Sequence, residues 1–335
     1  MKNRPAFSHA SVHAAITAAA LALPASSALA SGNTAYLSAT GSGSTCTSAA
    51  PCNSVTAALS VAGAEGEVIC LNRGVYGGTI ISQSVTISCP GGQWEAPFGI
   101  ITVATPANSH VVIDGLVLDN AGLSGFSIRF IGQGRLELRN VRAGNLKGAS
   151  ANGVFVNTVG PSNLLISDSY FYEFGNHGML VQPTSNSTVS VEVRDTVFSG
   201  NVAGAGIFVT PDAGSRANVS LDHVTLTANS FGLGVADGGA VSVRNSVFAN
   251  NVNYGVIAYN ASAPSTVDLT NSTISGTGSY GVLTAGSAAV SLSQMRIYGN
   301  GVGIYASSGS ILSFGNNAIN GNATDGSPTG GVALK

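Results

Sequence analysis

The stretch Val241-Ser242-Val243-Arg244-Asn245-Ser246-Val247-Phe248, followed by Asn251 and then Gly255-Val256-Ile257-Ala258, returns as Val267-Asp268-Leu269-Thr270-Asn271-Ser272-Thr273-Ile274, followed by Gly281-Val282-Leu283-Thr284. Apolar and polar residues alternate as in a strand buried on one face, a turn intervenes, and the alternation restarts. Self-similarity on this scale marks a stacked repeat. Working outward, one column reads Ile113, Leu138, Ile166, Val193, Leu221, Val243, Leu269, Leu292 and Phe314, and a second reads Leu118, Ala143, Phe171, Phe198, Leu226, Phe248, Ile274, Ile297 and Ile319. Neighbours in both columns lie 22 to 28 residues apart.

A repeat of that length holding three short strands predicts a three-sided coil, and the signature of leucine-rich horseshoes is absent. One coil alone cannot bury its inward aliphatics, whereas stacking at about 4.8 Å per coil supplies a backbone ladder and a continuous core. The expected fold is all-β: a right-handed parallel β-helix of about nine or more coils with a short N-terminal capping helix. Val, Ile, Thr, Asn and Gly favour strands and turns over helix, in keeping with that class.

Between the aliphatic columns runs a polar one, Asn140, Asp168, Asp195, His223, Asn245, Asn271, Gln294 and Asn316, preceded by Gly115. Stacked amides would bond to one another and to turn backbone, which predicts an amide ladder there. Glycines 125, 153, 178, 206, 232, 255, 281 and 303 form a further column at the bend into the next strand, where positive φ or close approach is called for.

Residues 1–30 read as a removable signal peptide: Lys2 and Arg4, an Ala- and Leu-rich run, then Ala28-Leu29-Ala30. Residues 31–335 then form one β-helix domain, with a disulfide-bearing cap and first coils over 31–90, regular coils over 111–322 and a tail over 323–335. Ser54 followed by Val55 to Ala62 reads as an N-capped helix covering the first coil, and the tail is expected to fold over the other end or to fray. Cys46, Cys52, Cys70 and Cys89 allow three disulfide pairings in an exported chain; short-loop and neighbouring-strand reasoning favours Cys46 with Cys52 and Cys70 with Cys89 over a zinc site. Without Lys2 and Arg4 the 13 basic residues become 11 against 15 acidic ones, a net charge near −4 that argues against nucleic acid. No later stretch is long and apolar enough to span a bilayer. The expected location is the periplasm or the cell exterior.

Tyr36-Leu37-Ser38, Ala50-Pro51-Cys52, the capping helix, Gly74-Val75-Tyr76-Gly77 and the repeating coils resemble exported bacterial proteins of the pectin-lyase-like superfamily. The resemblance implies a right-handed β-helix and, commonly, polysaccharide binding or cleavage. Polygalacturonases of that superfamily carry an Asp-Asp pair, an Asn-Thr-Asp, a Gly-His-Gly and an Arg-Ile-Lys. This chain has only Gly175-Asn176-His177-Gly178 as an echo of the third, so paired-carboxylate hydrolysis has no visible machinery. If the chain is an enzyme, a polysaccharide lyase, which needs a base and a positive group facing a uronate, fits better than a glycoside hydrolase.

The catalytic candidates are Lys147, Glu173, His177 and Arg142, drawn from the densest ionisable stretch and expected on neighbouring turns; the competing reading makes them solvated turn residues. Asp168 and Asp195 would stack two carboxylates in the polar column. A bound Ca²⁺ would explain them, as would turn N–H donors or a raised pKa, and no other cofactor is expected. Arg194, Asp222 and Arg244 are expected to form an outward salt ladder.

After the glycine column, alternation turns Phe155, Leu180, Phe208, Ile257, Leu283 and Tyr305 outward, with Tyr254, Tyr280 and Tyr259 beside them. Phe155, Phe208, Tyr254, Tyr259, Tyr280 and Tyr305 are therefore the predicted ligand-binding residues, suited to sugar stacking along an extended polysaccharide. The alternative function is a non-catalytic surface or matrix solenoid that binds a protein partner or itself.

Overall fold

The structure, a computed structural model, describes residues 32–333 apart from 93, 98, 120–124 and 261. The predicted signal peptide lies outside the described residues. Among them, the strands form three parallel sheets of 13, 11 and 10 strands, each joining a strand to its counterpart one coil away. A single coil runs Gly239–Arg244 in the thirteen-strand sheet, Val247–Ala249 in the eleven-strand sheet and Tyr254–Ala258 in the ten-strand sheet, before Thr266–Thr270 begins the next.

Both aliphatic columns point inward and are buried along their length, except at the last coil, where Ile319 is half-buried and the first column slips. Ser313, not Phe314, pairs with Leu292, so Phe314 leaves the first column at the last coil. The sheets also begin earlier than the regular repeat, at Thr34–Leu37, because the first coils use strands as short as Gly74–Val75 that leave little periodic signal.

The polar column is a corner of a different kind from the one expected. Asn140, Asp168, Asp195, His223, Asn245, Asn271 and Gln294 all adopt left-handed backbone, with φ between 44° and 55°. Asn, Asp and His tolerate that region better than branched residues do, so backbone conformation selects the column. Gly315, at φ 78°, takes the place expected for Asn316. Lateral bonds are intermittent, as from Asn271 Nδ2 to Asn245 Oδ1 at 2.7 Å.

The amide ladder exists, but at the opposite corner, between the eleven- and ten-strand sheets. There Asn201, Asn229, Asn251 and Asn300 are almost wholly buried. Asn201 Nδ2 donates to Asn229 Oδ1 at 2.7 Å and Asn229 Nδ2 to Asn251 Oδ1 at 3.2 Å. Each Oδ1 also accepts the backbone N–H of the preceding rung. Thr277 interrupts the series and its Oγ1 is buried without a partner. The series resumes with Asn300, whose Nδ2 reaches Asn322 Oδ1 at 2.8 Å. Beside it the glycine column answers to close approach: a Cβ on Gly255 would lie 2.5 Å from Ile274 Cγ2 and 2.6 Å from the carbonyl oxygen of Gly281.

Both ends are closed. The helix Val55–Ala62 has the expected bounds, with Ser54 accepting from the Ala57 N–H and Gly63 ending it at φ 69°. Cys46 bonds to Cys52 and Cys70 to Cys89. At the far end the tail folds over the last coil: Thr324 and Asp325 carbonyls accept from Gly303 and Ile304, and Gly330–Gly331 pairs with Ser310–Ser313. No helix among the described residues is long and apolar enough to cross a membrane.

Candidate functional site

A parallel β-helix buries one face of every strand, so whatever it recognises is met by the outward residues of its sheets. On the ten-strand sheet, successive pairings place Ile80, Thr102, Arg129, Phe155, Leu180, Phe208, Gly234, Ile257, Leu283 and Tyr305 in one row, a residue per coil. The predicted outward set is therefore continuous along the axis. Its members from Phe155 onward are half-buried except for Gly234, which is buried, and Tyr305, which is 47% exposed. Gly234 leaves room for Phe208, whose ring occupies the space a Cβ would fill.

The rings of this face stack on one another. Tyr254, Tyr280 and Tyr305 follow at centroid separations of 6.0 and 5.5 Å, with Phe231 at 5.1 Å from Tyr254. Phe208 lies 4.9 Å from the His177 ring and 6.4 Å from Tyr259, while Phe155 stacks on Phe126 at 4.6 Å. Burial and the nearby Asp237 raise the Tyr259 phenol above its usual range. Arg129 rides over the Phe126 ring, and its Nε is buried without a partner.

The four catalytic candidates do not assemble. Lys147 and Glu173 form an ion pair with each other across one coil. Arg142 lies over the rings of Tyr170 and Tyr172, at 5.3 and 4.9 Å, on the eleven-strand sheet. His177 sits at the bend into the ten-strand sheet, where burial pushes its pKa down to about 4. Its Nδ1 accepts the Ala205 N–H at 2.9 Å, which places the ring proton on Nε2. At neutral pH this imidazole is uncharged and its ring stacks on Phe208, and no hydrogen bond or ion pair joins it to Lys147 or Glu173.

Asp168 and Asp195 are exposed left-handed corner residues, and among the described residues no group of three or more His, Cys, Asp or Glu side chains converges on a metal position. The expected salt ladder is half made: Arg244 Nε pairs with Asp222 at 3.0 Å, but Arg194 turns to Glu192.

The thirteen-strand sheet carries what the sequence reading passed over. A groove of about 480 Å³ crosses its outer face, among Asn163, Ser190, Asn218, Ser220, Ser242 and Asp268, with Arg135 at its N-terminal end. Beside it, Glu137 is only 3% exposed although it points outward. It accepts from His110 Nε2 at 2.9 Å, from Arg135 Nε at 2.7 Å and from Arg139. Burial alone would raise the Glu137 pKa, but the bonds from Arg139 and His110 and the charges of Arg135 and Arg139 outweigh it and hold the carboxyl below its usual range. His110 had no acidic neighbour in sequence; its partner stands 27 residues away, one coil on.

Coils of this construction match the model of the right-handed β-helix region over residues 103–248 and 231–332. The chain belongs to the right-handed β-helix family. Among solved structures, this β-helix is similar to the pectate lyase Pel9A at 16% identity over 85% of this chain and 75% of that one, with a TM-score of 0.53. It is also similar to the A-module of the mannuronan C-5 epimerase AlgE6 of Azotobacter vinelandii, at 14% identity over 83% of this chain and 93% of that one, with a TM-score of 0.43. At these identities what is shared is the fold. No curated protein sequence matches the chain.

Proposed function

We propose that this β-helix is an exported protein that binds an extended polysaccharide along the outer face of its ten-strand sheet, in the periplasm or outside the cell. The observation that carries this reading is the continuous apolar and aromatic row from Phe155 to Tyr305, one residue per coil. A linear polymer of repeating rings matches a surface that repeats along one axis, and an apolar stripe of this length is costly to leave in water without a use. His177 Nε2–H and the Arg129 guanidinium offer donors beside the row, Arg129 standing one coil before Phe155. The two disulfides support export, and the fold shared with a pectate lyase supports a polysaccharide ligand.

The candidate residues favour binding over cleavage, since Lys147 and Glu173 neutralise each other and His177 holds its proton on Nε2. One observation favours a second reading. Tyr254, Tyr280 and Tyr305 turn their faces to their neighbours, an arrangement that suits a flat protein surface or a second copy of the chain as well as a sugar.

Calorimetric titration of the mature protein with acidic and neutral polysaccharides tests the proposal. Binding should weaken about tenfold in Phe208→Ala and again in Tyr305→Ala, roughly 1.4 kcal/mol each. Unsaturated ends accumulating in the same mixtures would add lyase activity to it. Absence of binding across the panel, together with self-association that Tyr305→Ala abolishes, would replace it with the second reading.

A further inference from the structure

The groove on the thirteen-strand sheet lies on a different face of the coil from the aromatic row, and it is chemically unlike it. From the strand Gly134–Arg139 to the strand Thr266–Thr270 it crosses six successive strands, roughly 24 Å at the ordinary strand spacing. Most of its outward positions are short: Ser190 stands between the amides of Asn163 and Asn218 in one row, and Ser220 and Ser242 follow Leu165 and Glu192 in the next. Their shortness makes the depression. A polypeptide strand cannot add here, because this is the face of a sheet whose backbone groups already pair with both neighbouring strands. What meets a ligand is hydroxyls and amides beside apolar surface from Leu165, Val191, Val219 and Val241, a mixture that matches the polar edges and apolar faces of sugar rings.

The N-terminal end of the groove differs. Buried Glu137 collects Arg135, Arg139 and His110, and this fixes their positions without neutralising the cluster, since two guanidiniums face one carboxylate. Arg135 contacts Glu137 through Nε, which leaves its terminal nitrogens for another acceptor. A second hollow of about 460 Å³, lined by Gln133, Pro161 and Asn108, joins the groove at Arg135 and Asn163. A planar guanidinium oriented by a buried carboxylate is suited to a second, bidentate carboxylate. Further along, Glu192 and Asp268 line the groove and disfavour a polymer charged on every ring.

We infer that the outer face of the thirteen-strand sheet is a second saccharide site, which holds hydroxyl-rich sugar rings along the serine floor and one acidic sugar at Arg135. It is separate from the site proposed on the ten-strand sheet and stands or falls independently of it.

The test titrates the mature protein with a hexameric uronate oligosaccharide and with its carboxyl-reduced, neutral counterpart. The unaltered protein should bind the uronate. Arg135→Met should weaken the uronate at this site at least tenfold and leave the neutral hexamer unchanged, while Ser220→Trp, which fills the floor away from the Glu137 cluster, should abolish binding of both at this site. Phe208→Ala should spare it. Melting temperatures close to that of the unaltered protein would show both groove variants to be folded. Uronate binding that is unaffected by Arg135→Met and Ser220→Trp but lost in Phe208→Ala would overturn this inference and leave the first proposal standing. The reverse pattern would uphold the groove and sink the aromatic row. Binding of an acidic peptide at Ser220 with no saccharide bound would also overturn it.

Discussion

At the corner leaving the thirteen-strand sheet, Asn245 is bent to φ 52° with its amide partly exposed, whereas at the corner entering the ten-strand sheet Asn251 is buried, accepts from Asn229 and donates to the Leu226 carbonyl. The same side chain serves two different physical demands within six residues. The first corner needs a residue that tolerates left-handed backbone, so Asp168, His223 and Gln294 substitute for Asn there. The second needs a donor and an acceptor in a fixed direction, and only Asn recurs. One corner is chosen by conformation and the other by hydrogen bonding.

Replacing Asn229 by Leu should break the second corner. It strips both Asn201 donors of their acceptor, and two buried unsatisfied groups at about 1–3 kcal/mol each predict a loss of about 4 kcal/mol by denaturant unfolding. The same change at Asn245 should cost much less, and an equal loss at both positions would dissolve the distinction.

The histidine beside the buried corner sharpens it further. His177 has a folded pKa depressed to about 4, so below its unfolded pKa of about 6.5 the unfolded chain takes up the proton first. Stability from this residue is intact above that pH and is lost as pH falls toward 4, by about 3 kcal/mol in all. His177→Gln should flatten the pH profile of stability across that window.

Asn245→Val isolates the conformational demand, since a branched residue at positive φ costs about 1–2 kcal/mol, while Asn245→Gly should be close to neutral. The smallest effect should be a gain. Thr277 stands in the ladder with its hydroxyl buried and unpaired, between Asn251 and Asn300 on neighbouring coils. Thr277→Asn should complete the series and stabilise the protein by about 1 kcal/mol. A loss instead would mean that the coil at this point is shaped around the threonine.

How much of this was legible in the sequence depended on chemistry that announces its own environment. Inward aliphatics do so, which is why the columns through Val243 and Phe248 gave the coil and its register. The slip came at Phe314, where the strand ends one residue early and an aromatic side chain looked like the expected core residue. Asparagine does not announce its environment. Asn245 and Asn251 look alike on the page, and burial alone tells the left-handed corner from the ladder. The aromatic row followed from alternation, but the stacking of its rings on one another required coordinates. The groove was hidden for a related reason: Ser190, Ser220 and Ser242 read as the solvent side of the period, and the His110 to Glu137 contact joins residues one coil apart.

The ladder also has a sense. Every side-chain bond from Asn201 to Asn229, Asn229 to Asn251 and Asn300 to Asn322 points its N–H toward the C-terminal end. Aligned amides behave as a column of dipoles whose positive pole lies there, much as a helix concentrates partial positive charge at its N-terminus. The pole is met by Asp325, which accepts the Asn322 side-chain and backbone N–H groups, and those bonds lower its pKa. A carboxylate carries no donor of its own to satisfy. The amide ladder therefore closes on an anion, an acceptor that leaves no hydrogen of its own unbonded.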